Sequence, residues 1–542
     1  VKVVKGAVSV DVLPAIVSQA VNQIPVSKRM RWGRERHEFL RPVQWLVLLY
    51  GSDTIDLSLF GLQASRTTRG HRFHGDHAVE LESADTYEET LRAQHVIASV
   101  EERKALISAQ VKALVSDDEC AIVEDDLLNE VAGLVEWPVA LRGTFDTAFL
   151  AVPRQALISS MREHQKYFHI EDRNGALLPA FITVSNIQSK NPQSVIYGNE
   201  KVIRPRLADA AFFFNTDKQT TLASKATRLE GVLFQRDLGT LADKQRRIAS
   251  VAESLCSSLG ADAVTVNAAG TLLKADLVSD MVGEFPELQG IAGGHYALHD
   301  GETASVADAI EQHYWPKFSG DSLPLTPEAA ALALADRLDT LVGIFGIGQS
   351  PTGSKDPFAL RRASFAAIRI LLRFAPNANI DDLLHEACAS FNEGVLTPSV
   401  VETVKGYLLD RLPAHYDEQG VSVDVLRSVT AVGTDSFGDI DSRSLAVTAF
   451  AGTEAAEALA AANKRVANIL AKVSEPIGEV NAELLLEPAE IALNAALDRS
   501  RESLAAAVSD NDFPEALNQL ALLRSDVDSF FDTVLVTAED RA

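Results

Sequence analysis

The first 230 residues alternate between short β-branched segments and longer segments with helical spacing. VQWLVLLYG and LPAFITVSNI have the apolar, β-branched character of buried strands. In contrast, TYEETLRAQHVIASVEERKALISAQVKALV repeats its apolar residues at the spacing of an amphipathic helix. This mixture predicts an α+β region over residues 1–230.

From residue 231 onward the apolar positions follow helical spacing. Thr326, Pro327 and Glu328 precede the run AAALALADRLDTLVGIFG, and this combination is typical of a helix amino terminus. We predict a helical domain over 231–350. The glycine- and proline-rich turn GIGQSPTGSKDP then leads into a helical linker region over 351–440.

The last hundred residues have a strongly helical pattern. The Ala- and Leu-rich segments LAVTAFAGTEAAEALAAANKRVANILAK and ALNQLALLRSDVDSFFDTVLV alternate with loops at the spacing of an antiparallel helix bundle. The polar stretch VGTDSFGDIDSRS marks the boundary before them. The whole pattern predicts a multidomain α+β protein whose residues 441–542 form an all-α bundle.

Composition narrows the class of protein. With 542 residues, 46% of them hydrophobic, the chain is long enough for several globular domains. No apolar run approaches the roughly 20 residues needed to cross a bilayer, so we expect a soluble cytoplasmic protein without membrane association. Cys120, Cys256 and Cys388 are far apart, which argues against both a disulfide framework and a structural zinc site.

The net charge of −25 excludes a protein that coats nucleic acid indiscriminately, because neutralising phosphate needs a positive surface. It does not exclude a specific RNA-binding protein. Clustered arginines in an acidic chain bind a polyanion at chosen patches, while the rest of the surface repels it. The distribution of charge therefore matters more than its sum.

One basic cluster lies in the segment GNEKVIRPRLADAAFFFNTD. Lys201, Arg204 and Arg206 come directly before an aromatic triplet, and Pro205 separates the two arginines. We expect this proline to hold the backbone extended, so that the guanidinium groups are offered from a stiff segment. Phosphate or carboxylate is the natural ligand, and a solvated surface without a ligand is the alternative.

Four further basic clusters occur in KRMRWGRERHEFLRP, TTRGHRFHGDH, KDPFALRR and ANKRVANILAK. In the first cluster, arginines set among aromatic residues suit a sugar-phosphate backbone with an unstacked base, and a solvated surface turn is the alternative. KDPFALRR is interpreted as a helix start with Asp356 before Pro357 as its cap, and phosphate contact and interdomain ion pairing are both open for its cations. For ANKRVANILAK the alternative is a solvated helix face. The candidate RNA-binding residues in them are Arg29, Arg31, Arg36 and Arg41; Arg69 and Arg72; Lys355, Arg361 and Arg362; and Lys464, Arg465 and Asn468.

The second of these clusters also contains three histidines at a spacing of three, namely His71, His74 and His77. On a helix they would share a face and suit a metal ion. However, Gly70 and Gly75 indicate a loop, and no cysteine or ordered set of carboxylates completes a site. We therefore predict no metal site here.

These clusters belong to a longer series of blocks. The blocks, in order, are MRWG (30–33) with RPVQWL (41–46), TTRGHRFHG (67–75), LVEWPVAL (134–141), HQKYF (164–168), VSNI (184–187), GNEKVIRPRLADAAFFF (198–214), FQRDLGTLADK (234–244), MVGEFPELQGIAG (281–293), LADRLDTLVGIFGIGQSPTGSKDPFALRR (334–362) and ANKRVANILAK (462–472). Through them the chain resembles the β subunit of bacterial heterotetrameric glycyl-tRNA synthetase along nearly its whole length. It starts at Val1 without an initiator methionine and stops at Ala542 before the family's further basic helix, so we expect a fragment trimmed at both ends.

The resemblance implies domain identities and partners. Residues 1–230 are similar to modules of the phenylalanyl-tRNA synthetase β subunit, residues 231–350 to an HD-type helical domain, and residues 441–542 to an anticodon-binding bundle like that of arginyl-tRNA synthetase. The implied partners are tRNA(Gly) and an α subunit, in a complex of two α and two β chains. The α subunit is expected to hold glycine, ATP and Mg²⁺, which leaves this chain without a catalytic residue, metal or cofactor.

The HD-like region raises an enzymatic alternative. A working HD phosphohydrolase uses a His, a His-Asp pair and a distal Asp to hold metal ions that activate water. Here Lys244 lies where the first histidine belongs and Ala275 precedes Asp276 where His-Asp is needed, so that only Asp336 fits. We expect a degenerate HD-like scaffold. His295 and His299 stand four apart on a predicted helix, and for them packing or surface roles are favoured over metal binding.

The sequence does not contain a synthetase active site of its own. Met161-Arg162-Glu163-His164 lacks the spacer of a class II Arg-x-Glu motif, and class I signatures are absent. The glycine-rich run that ends at Arg361 does not fit the strand-helix motif of a class II site, because Pro351 and Pro357 interrupt it. It does not fit a phosphate-binding loop either, because Lys355 comes one residue too late. Adenylate chemistry is therefore expected in a partner chain.

We interpret the sequence as the β subunit of a glycine–tRNA ligase that binds and positions tRNA(Gly) for ATP-dependent aminoacylation in the α-subunit active site. Two alternatives stay open at this point. One is a metal phosphohydrolase built on the HD-like region. The other is an assembly scaffold that binds no RNA, in which the basic clusters meet acidic surfaces of a partner chain.

Overall fold

The computed structural model describes residues 6–26, 28–34, 36–353, 355–433, 435–471 and 480–534. Short parts of the predicted domains, including the end of the ANKRVANILAK block, lie outside these ranges: residues 1–5, 27, 35, 354, 434, 472–479 and 535–542. The chain forms two compact units, one ending at Thr216 and the other beginning at Asp217. The first mixes helices with antiparallel strands and the second is mainly helical, which confirms a multidomain α+β protein.

The strands of the first unit are short and all pair antiparallel. Eight of them form the successive two-stranded pairs β1–β2, β3–β4, β5–β6 and β7–β8, and the others form one four-stranded sheet in the order β10-β12-β11-β9. The strands are β1 (Met30–Arg31), β2 (Glu38–Phe39), β3 (Leu49–Tyr50), β4 (Asp53–Thr54), β5 (Ser58–Leu59), β6 (Leu62–Gln63), β7 (Thr67–Thr68), β8 (Val79–Glu80), β9 (Glu119–Ala121), β10 (Val139–Thr144), β11 (Phe168–Asp172) and β12 (Leu177–Ser185).

The helices of the first unit include two that cover the four-stranded sheet. They are α1 (Ser9–Gln23), α2 (Tyr87–Ala93), α3 (Val100–Ala113), α4 (Asp125–Leu134), α5 (Arg154–Ser159) and α6 (Pro192–Asp217). Ile107 and Val111 of α3 and Val131 of α4 share a buried apolar cluster with Phe168 and Ile182 of the sheet. Each such side chain contributes about 1.5–3 kcal/mol when it leaves water, so this cluster holds the sheet to its helices.

Helix α6 corrects one prediction from the sequence. Residues 192–217 form a continuous helix with Pro205 inside it, so the expectation that Pro205 holds an extended segment is wrong. Ile203, Leu207 and Ala210 lie on one face of this helix, and all three are fully buried. Burial of that apolar stripe outweighs the roughly 3 kcal/mol that a proline costs in a helix interior.

The second unit begins with a short helix and a hairpin and continues as a succession of helices. Its strands are β13 (Leu233–Gln235) and β14 (Gly239–Thr240). Its helices are α7 (Leu222–Ala226), α8 (Leu241–Leu259), α9 (Ala263–Leu272), α10 (Asp280–Glu284), α11 (Ile291–Asp300), α12 (Ala304–Gln312), α13 (Pro327–Gly346), α14 (Leu360–Phe374), α15 (Ile380–Ala389), α16 (Val400–Leu409), α17 (Leu412–Tyr416), α18 (Val423–Ala431), α19 (Phe437–Ala451), α20 (Glu454–Leu470), α21 (Pro488–Ser509), α22 (Phe513–Leu522) and α23 (Arg524–Thr533).

Helix α13 is the centre of the second unit. It packs against α8, α9, α12, α14, α15 and α16, and almost all of its side chains are buried. Its predicted start is confirmed, because the Thr326 side chain accepts a hydrogen bond from the Ala329 N–H at 3.2 Å and Pro327 is the first helical residue. The helix continues through Gly343 and ends at Gly346.

The predicted domain boundaries differ from the divisions of the structure. The two compact units meet at residues 216 and 217 rather than near 230. Helix α19 also runs without a break across the predicted boundary at 440, and its start is capped by Ser436, which accepts from the Asp439 N–H. The polar residues that suggested a loop are thus the cap and first turn of a helix.

No single helix in the described ranges is long and apolar enough to cross a bilayer. Helices α19 and α20 reach that length and composition only when added together, and they are bent by 96° relative to each other.

An ion pair links the two outer strands of the four-stranded sheet, β9 and β10. The Glu119 carboxylate accepts two hydrogen bonds from the Arg142 guanidinium, at 2.7 and 2.8 Å. Hydrogen bonding by Arg142, followed by the Ser116 N–H, lowers the pKa of Glu119 from 4.5 to about 2. Because the folded pKa is the lower one, the stability from this pair is present above pH 4.5 and is lost as the pH falls toward 2.

We predict that Glu119→Gln lowers the free energy of unfolding of the first unit at neutral pH by about 1.5–3 kcal/mol, because a charge-assisted bidentate pair is lost. Its acid-induced loss of stability between pH 4.5 and 2 should also become shallower than in the wild type. Urea unfolding at several pH values measures both. Glu101→Gln is the control, because Glu101 is 82% exposed and its pair with Lys104 contributes little. Identical pH profiles for Glu119→Gln and the wild type would contradict this role.

Candidate nucleic-acid interface

The predicted RNA-binding residues are divided between the two compact units. The first unit holds Arg29, Arg31, Arg36, Arg41, Arg69, Arg72, Lys201, Arg204 and Arg206. The second unit holds Lys355, Arg361, Arg362, Lys464, Arg465 and Asn468. All of them are exposed except Arg361, which is partly buried.

Four of these arginines surround the β1–β2 hairpin, and we call them the hairpin cluster: Arg29, Arg31, Arg36 and Arg41. Arg31 forms an ion pair with Glu38 across the hairpin. Arg29 donates to the carbonyl oxygen of Asn22 at 3.2 Å, and Arg41 Nη1 lies 3.1 Å from the Met30 sulfur. Only part of the positive charge is therefore neutralised within the unit, and the remainder faces solvent.

Aromatic rings lie beside the hairpin cluster. The Trp32 and Phe39 rings are 5.7 Å and 5.1 Å from the ring of Phe60, and the His37 ring meets Phe60 edge-on at 6.3 Å. Trp32 and His37 belong to the same segment as these arginines, whereas Phe60 is distant in sequence and is brought to them by the β5–β6 turn. Arginines beside aromatic rings provide the two kinds of contact that an RNA strand with an unpaired base uses.

The loop after β7 carries Arg69 and Arg72, which we call the loop cluster. The Arg69 guanidinium lies over the Trp45 ring at 4.7 Å, and its Nη1 donates to the Gln44 side chain at 3.1 Å. Arg72 is exposed next to Phe73, whose side chain is 74% exposed. Phe73 thus places a solvent-facing ring in the same loop as two arginines.

Two histidines of this loop, His71 and His74, have structural roles. His71 is buried, and its Nδ1 accepts from the N–H groups of Phe73 and His74 at 3.2 and 3.3 Å. His74 stacks between His71 and His95, and burial together with these two imidazoles lowers the pKa of His74. The neutral His74 Nε2 accepts from the Gln188 N–H at 3.1 Å, which fixes the loop to the segment preceding α6. Among the described residues, no three or more His, Cys, Asp or Glu side chains are grouped to hold a metal ion.

Lys201, Arg204 and Arg206 form the helix cluster on the exposed face of α6. Lys201 Nζ lies 4.7 Å from the Tyr197 ring centre, and in the described part of the chain neither arginine forms an ion pair. The carboxylate of Glu200 accepts from the Thr144 N–H and hydroxyl at 2.9 and 3.0 Å, which fastens α6 to β10. The two arginines are therefore presented from a helix with a fixed position in its unit.

In the second unit, Lys355, Arg361 and Arg362 lie at the start of α14. The Asp356 carboxylate accepts from the N–H groups of Leu360 and Arg361, at 2.8 and 3.0 Å, but the N-cap position of α14 is held by Ala359 and not by Asp356 as the sequence predicts. The helix begins at Leu360, three residues later than a start at Pro357 would give. Arg361 donates to the Gly353 carbonyl oxygen, whereas Arg362 has no hydrogen bond or ion pair within the described ranges.

The last group, Lys464, Arg465 and Asn468, lies on α20, as the sequence predicts. The Arg465 guanidinium stacks over the Phe531 ring at 4.2 Å, so it helps to pack α20 against α23. Lys464 and Asn468 are exposed. Of the three, these two side chains are the ones available to a ligand.

The region predicted to be a degenerate HD site contains a buried ionic network instead of a metal centre. Lys244 Nζ lies 2.9 Å from Asp336 Oδ1 and 2.7 Å from Asp339 Oδ2. Lys274 Nζ lies 2.9 Å from the second oxygen of Asp336, and Arg247 Nε lies 2.5 Å from the second oxygen of Asp339. Every oxygen of the two carboxylates is thus engaged by a cationic side chain.

Charge pairing keeps this network ionised. Burial alone would raise the pKa of Asp336, but Lys244, Lys274 and Arg337 hold it well below its usual range. For Lys244, burial opposes protonation, yet the two aspartates raise its pKa above the ordinary value. Because the lysine ammonium groups bind Asp336 directly, this carboxylate is not available as a ligand for a metal ion. The missing HD histidines indicated that the region has no HD-type metal site. The sequence did not indicate that lysine side chains supply positive charge to Asp336 in place of a metal ion.

Asp276, the other acidic residue of the HD-like pattern, has a different environment. Its Oδ2 accepts from the N–H groups of Gly290 and Gly293, at 2.5 and 3.2 Å. Burial raises its pKa. Asp276 therefore fastens the start of α11 to the preceding segment.

Comparison with known proteins agrees with the resemblance drawn from the motifs. A family model described as the glycyl-tRNA synthetase beta subunit matches residues 1–431. The chain is 50% identical over 539 residues to a glycine–tRNA ligase beta subunit of Chromohalobacter salexigens, covering 99% of this chain and 78% of that protein. It is 46% identical over 544 residues to the beta subunit from Pseudomonas aeruginosa, covering 100% of this chain and 80% of that protein. It is 45% identical over 541 residues to the one from Azotobacter vinelandii, covering 99% of this chain and 79% of that protein. Similarity to these relatives continues beyond residue 431.

The ionic network gives a prediction about stability. We expect Lys244→Met to lower the free energy of unfolding of the second unit by about 3–5 kcal/mol, because it leaves buried aspartate oxygens without their partner. Arg246→Met is the matched control in the same helix: Arg246 is 72% exposed, so loss of its pair with Asp243 should cost less than about 1 kcal/mol. Chemical denaturation measures both variants. Equal losses would show that the network does not hold the unit together.

Proposed function

Because the chain belongs to the glycyl-tRNA synthetase beta subunit family, we propose that its contribution to glycyl-tRNA synthesis is to bind and position tRNA(Gly). In this proposal the basic clusters bind the phosphate backbone of the tRNA, so that its 3′ end enters the active site of the α subunit. The chain then accelerates the reaction by holding two reactants in a productive geometry, without taking part in bond chemistry.

The observation that carries the proposal is the helix cluster on α6. Arg204 and Arg206 are exposed, whereas Ile203 and Leu207 of the same helix are buried, and Glu200 fastens the helix to the sheet. Lys201 and Arg204 are one helical turn apart and form a local positive surface on this helix in a chain of net charge −25, whereas Arg206 projects from the other side of the buried stripe. Such a surface suits phosphate groups, which guanidinium binds in a bidentate manner.

The proposal assigns the remaining chemistry to a partner. The α subunit would hold glycine, ATP and Mg²⁺, and the complex would contain two α and two β chains in the cytoplasm, where tRNA is charged. The hairpin and loop clusters of the first unit would add further phosphate contacts. Lys464 and Asn468 on α20 would contact the anticodon arm, with residues 441–542 acting as an anticodon-binding bundle. Residues 1–230 would be the modules related to phenylalanyl-tRNA synthetase, 231–350 an HD-like scaffold and 351–440 a linker region.

The hydrolase alternative has no support in the geometry, because Lys244 and Lys274 occupy both oxygens of Asp336. The scaffold alternative uses the same exposed arginines against acidic surfaces of a partner chain. It differs from the tRNA-positioning proposal in how tRNA affinity depends on salt. Direct phosphate contacts release counterions, so affinity falls steeply with salt even while the subunits remain associated.

We predict that the double variant Arg204→Glu, Arg206→Glu raises the apparent KM for tRNA at least about tenfold, because two charge-assisted contacts become repulsive. The slope of log affinity against log salt should become shallower by about two. Glycine-dependent adenylate formation by the intact complex should change much less. Steady-state charging kinetics and tRNA-binding titrations at several salt concentrations measure these quantities.

Arg173→Glu is the matched control for this variant. Arg173 is a 67% exposed arginine of the same unit that lies outside the predicted clusters. It should leave the KM for tRNA within about twofold, since an exposed ion pair contributes little. An equal loss of charging and adenylate formation, together with dissociation of the subunits, would contradict the proposal and favour the scaffold.

A further inference from the structure

A small cavity of about 300 Å³ opens in the second unit beside the start of α14. Its walls come from three stretches that are distant in sequence: residues 316–319 after α12, residues 361–366 in α14, and residues 411–414 at the start of α17. This volume lies at the lower end of the range for small-molecule sites. The cavity therefore suits a single aromatic heterocycle better than a larger ligand.

Two aromatic side chains line the cavity. Phe318 lies in the turn before α13 and is 61% exposed, which is unfavourable in water for an apolar side chain of this size. Phe365 is partly buried, and its ring is held edge-on against the His415 ring at 5.7 Å. One ring is thus free to meet a ligand while the other is fixed by its neighbour. Exposed rings beside a cavity are the usual platforms for unstacked nucleic-acid bases.

Three arginines also line the cavity, namely Arg361, Arg362 and Arg411. Arg411 is held by stacking of its guanidinium on the Tyr407 ring at 4.7 Å, and its buried Nε has no hydrogen-bond partner among the described residues. Arg362 is exposed and forms no hydrogen bond or ion pair with another described residue. The carboxylate of Asp356 accepts from N–H groups at the start of α14 and offsets part of this positive charge, but among the described residues it forms no ion pair with the three arginines. This cavity is therefore surrounded by positively charged side chains, although the chain as a whole is strongly acidic.

We propose that this cavity binds one unpaired base of the tRNA, stacked on Phe318, with the flanking phosphates on Arg361, Arg362 and Arg411. The inference rests on the proposed function and extends it by naming a subsite and two residues, Phe318 and Arg411, that the sequence did not indicate. A paired base is excluded from such a pocket because its faces are covered by neighbouring base pairs. The arginines hold the strand, and the aromatic wall selects an unstacked nucleotide in it.

The first test is affinity in the complete complex with the α subunit. Phe318→Ala should weaken tRNA binding about 5- to 150-fold, the range for loss of one stacked base. Phe318→Leu keeps an apolar side chain but loses the ring, and it should weaken binding to a similar extent. Arg362→Gln should make the salt slope shallower by about one. Val264→Ala is the matched control, because Val264 is a 78% exposed apolar residue of the same unit outside the cavity.

The second test identifies the bound nucleotide. A photoreactive benzoyl-phenylalanine at position 318 should crosslink to an unpaired nucleotide of bound tRNA, which primer extension locates, and the same group at position 264 should not. Crosslinks at paired nucleotides, or no crosslink above the position-264 level, would overturn the proposal. So would unchanged affinity in Phe318→Ala.

These outcomes separate the cavity from the proposed function. If Arg204→Glu, Arg206→Glu weakens tRNA binding but the Phe318 variants do not, the cavity proposal fails alone. If no basic cluster affects tRNA binding by the complex, tRNA positioning by this chain fails as well.

Discussion

The helical unit depends on two buried aspartates of α13 that are neutralised by cations from outside that helix. Asp336 and Asp339 are matched by Lys244 and Arg247 of α8 and by Lys274, which follows α9. Burial of these two carboxylates in their ionised form is possible because each carboxylate oxygen has a cationic partner. The network thereby fixes how α8 and the end of α9 meet the central helix, on which α14 also packs. The basic start of α14 and the cavity beside it are positioned by this packing.

The same network lies in the region for which the sequence predicts a degenerate HD-like scaffold. In a metal-dependent hydrolase, carboxylates and histidines gather around divalent cations. Here the positive charge beside Asp336 is supplied by two lysine side chains of the same protein, in ion pairs, rather than by a metal ion. The negative charge of Asp336 is balanced by these lysines, so neither of its oxygens is free to bind a metal ion that would activate water. This fits the tRNA-positioning role that we propose for the chain.

How much the sequence revealed depended on how local each feature is. The start of α13 at Thr326 and Pro327 follows from neighbouring residues and was predicted correctly. The capping prediction for Asp356 was wrong in position, because α14 begins at Leu360 rather than at Pro357, although the Asp356 carboxylate still accepts from two N–H groups of its first turn. Pro205 was misinterpreted because its local preference is overridden by burial of Ile203 and Leu207, which the isolated segment does not show.

Features made by distant segments gave no signal at all. Phe318, Arg362 and Arg411 meet around one cavity only through the packing of α14 and α17, and Lys274 reaches Asp336 across sixty-two positions of the chain. The structure places the arginines of the predicted clusters in solvent or beside aromatic rings, and their role in RNA binding stays a prediction. Which of them touch tRNA is a property of the complex.

The most direct test of the central claim is glycine charging of tRNA(Gly) by purified α subunit, measured with and without this chain. A tRNA-binding titration of this chain alone accompanies it. The account predicts that charging requires both subunits and that this chain binds tRNA by itself, with an affinity that falls steeply as salt rises. Charging by the α subunit alone at the same rate, or no tRNA affinity in either the chain or the complex, would contradict it.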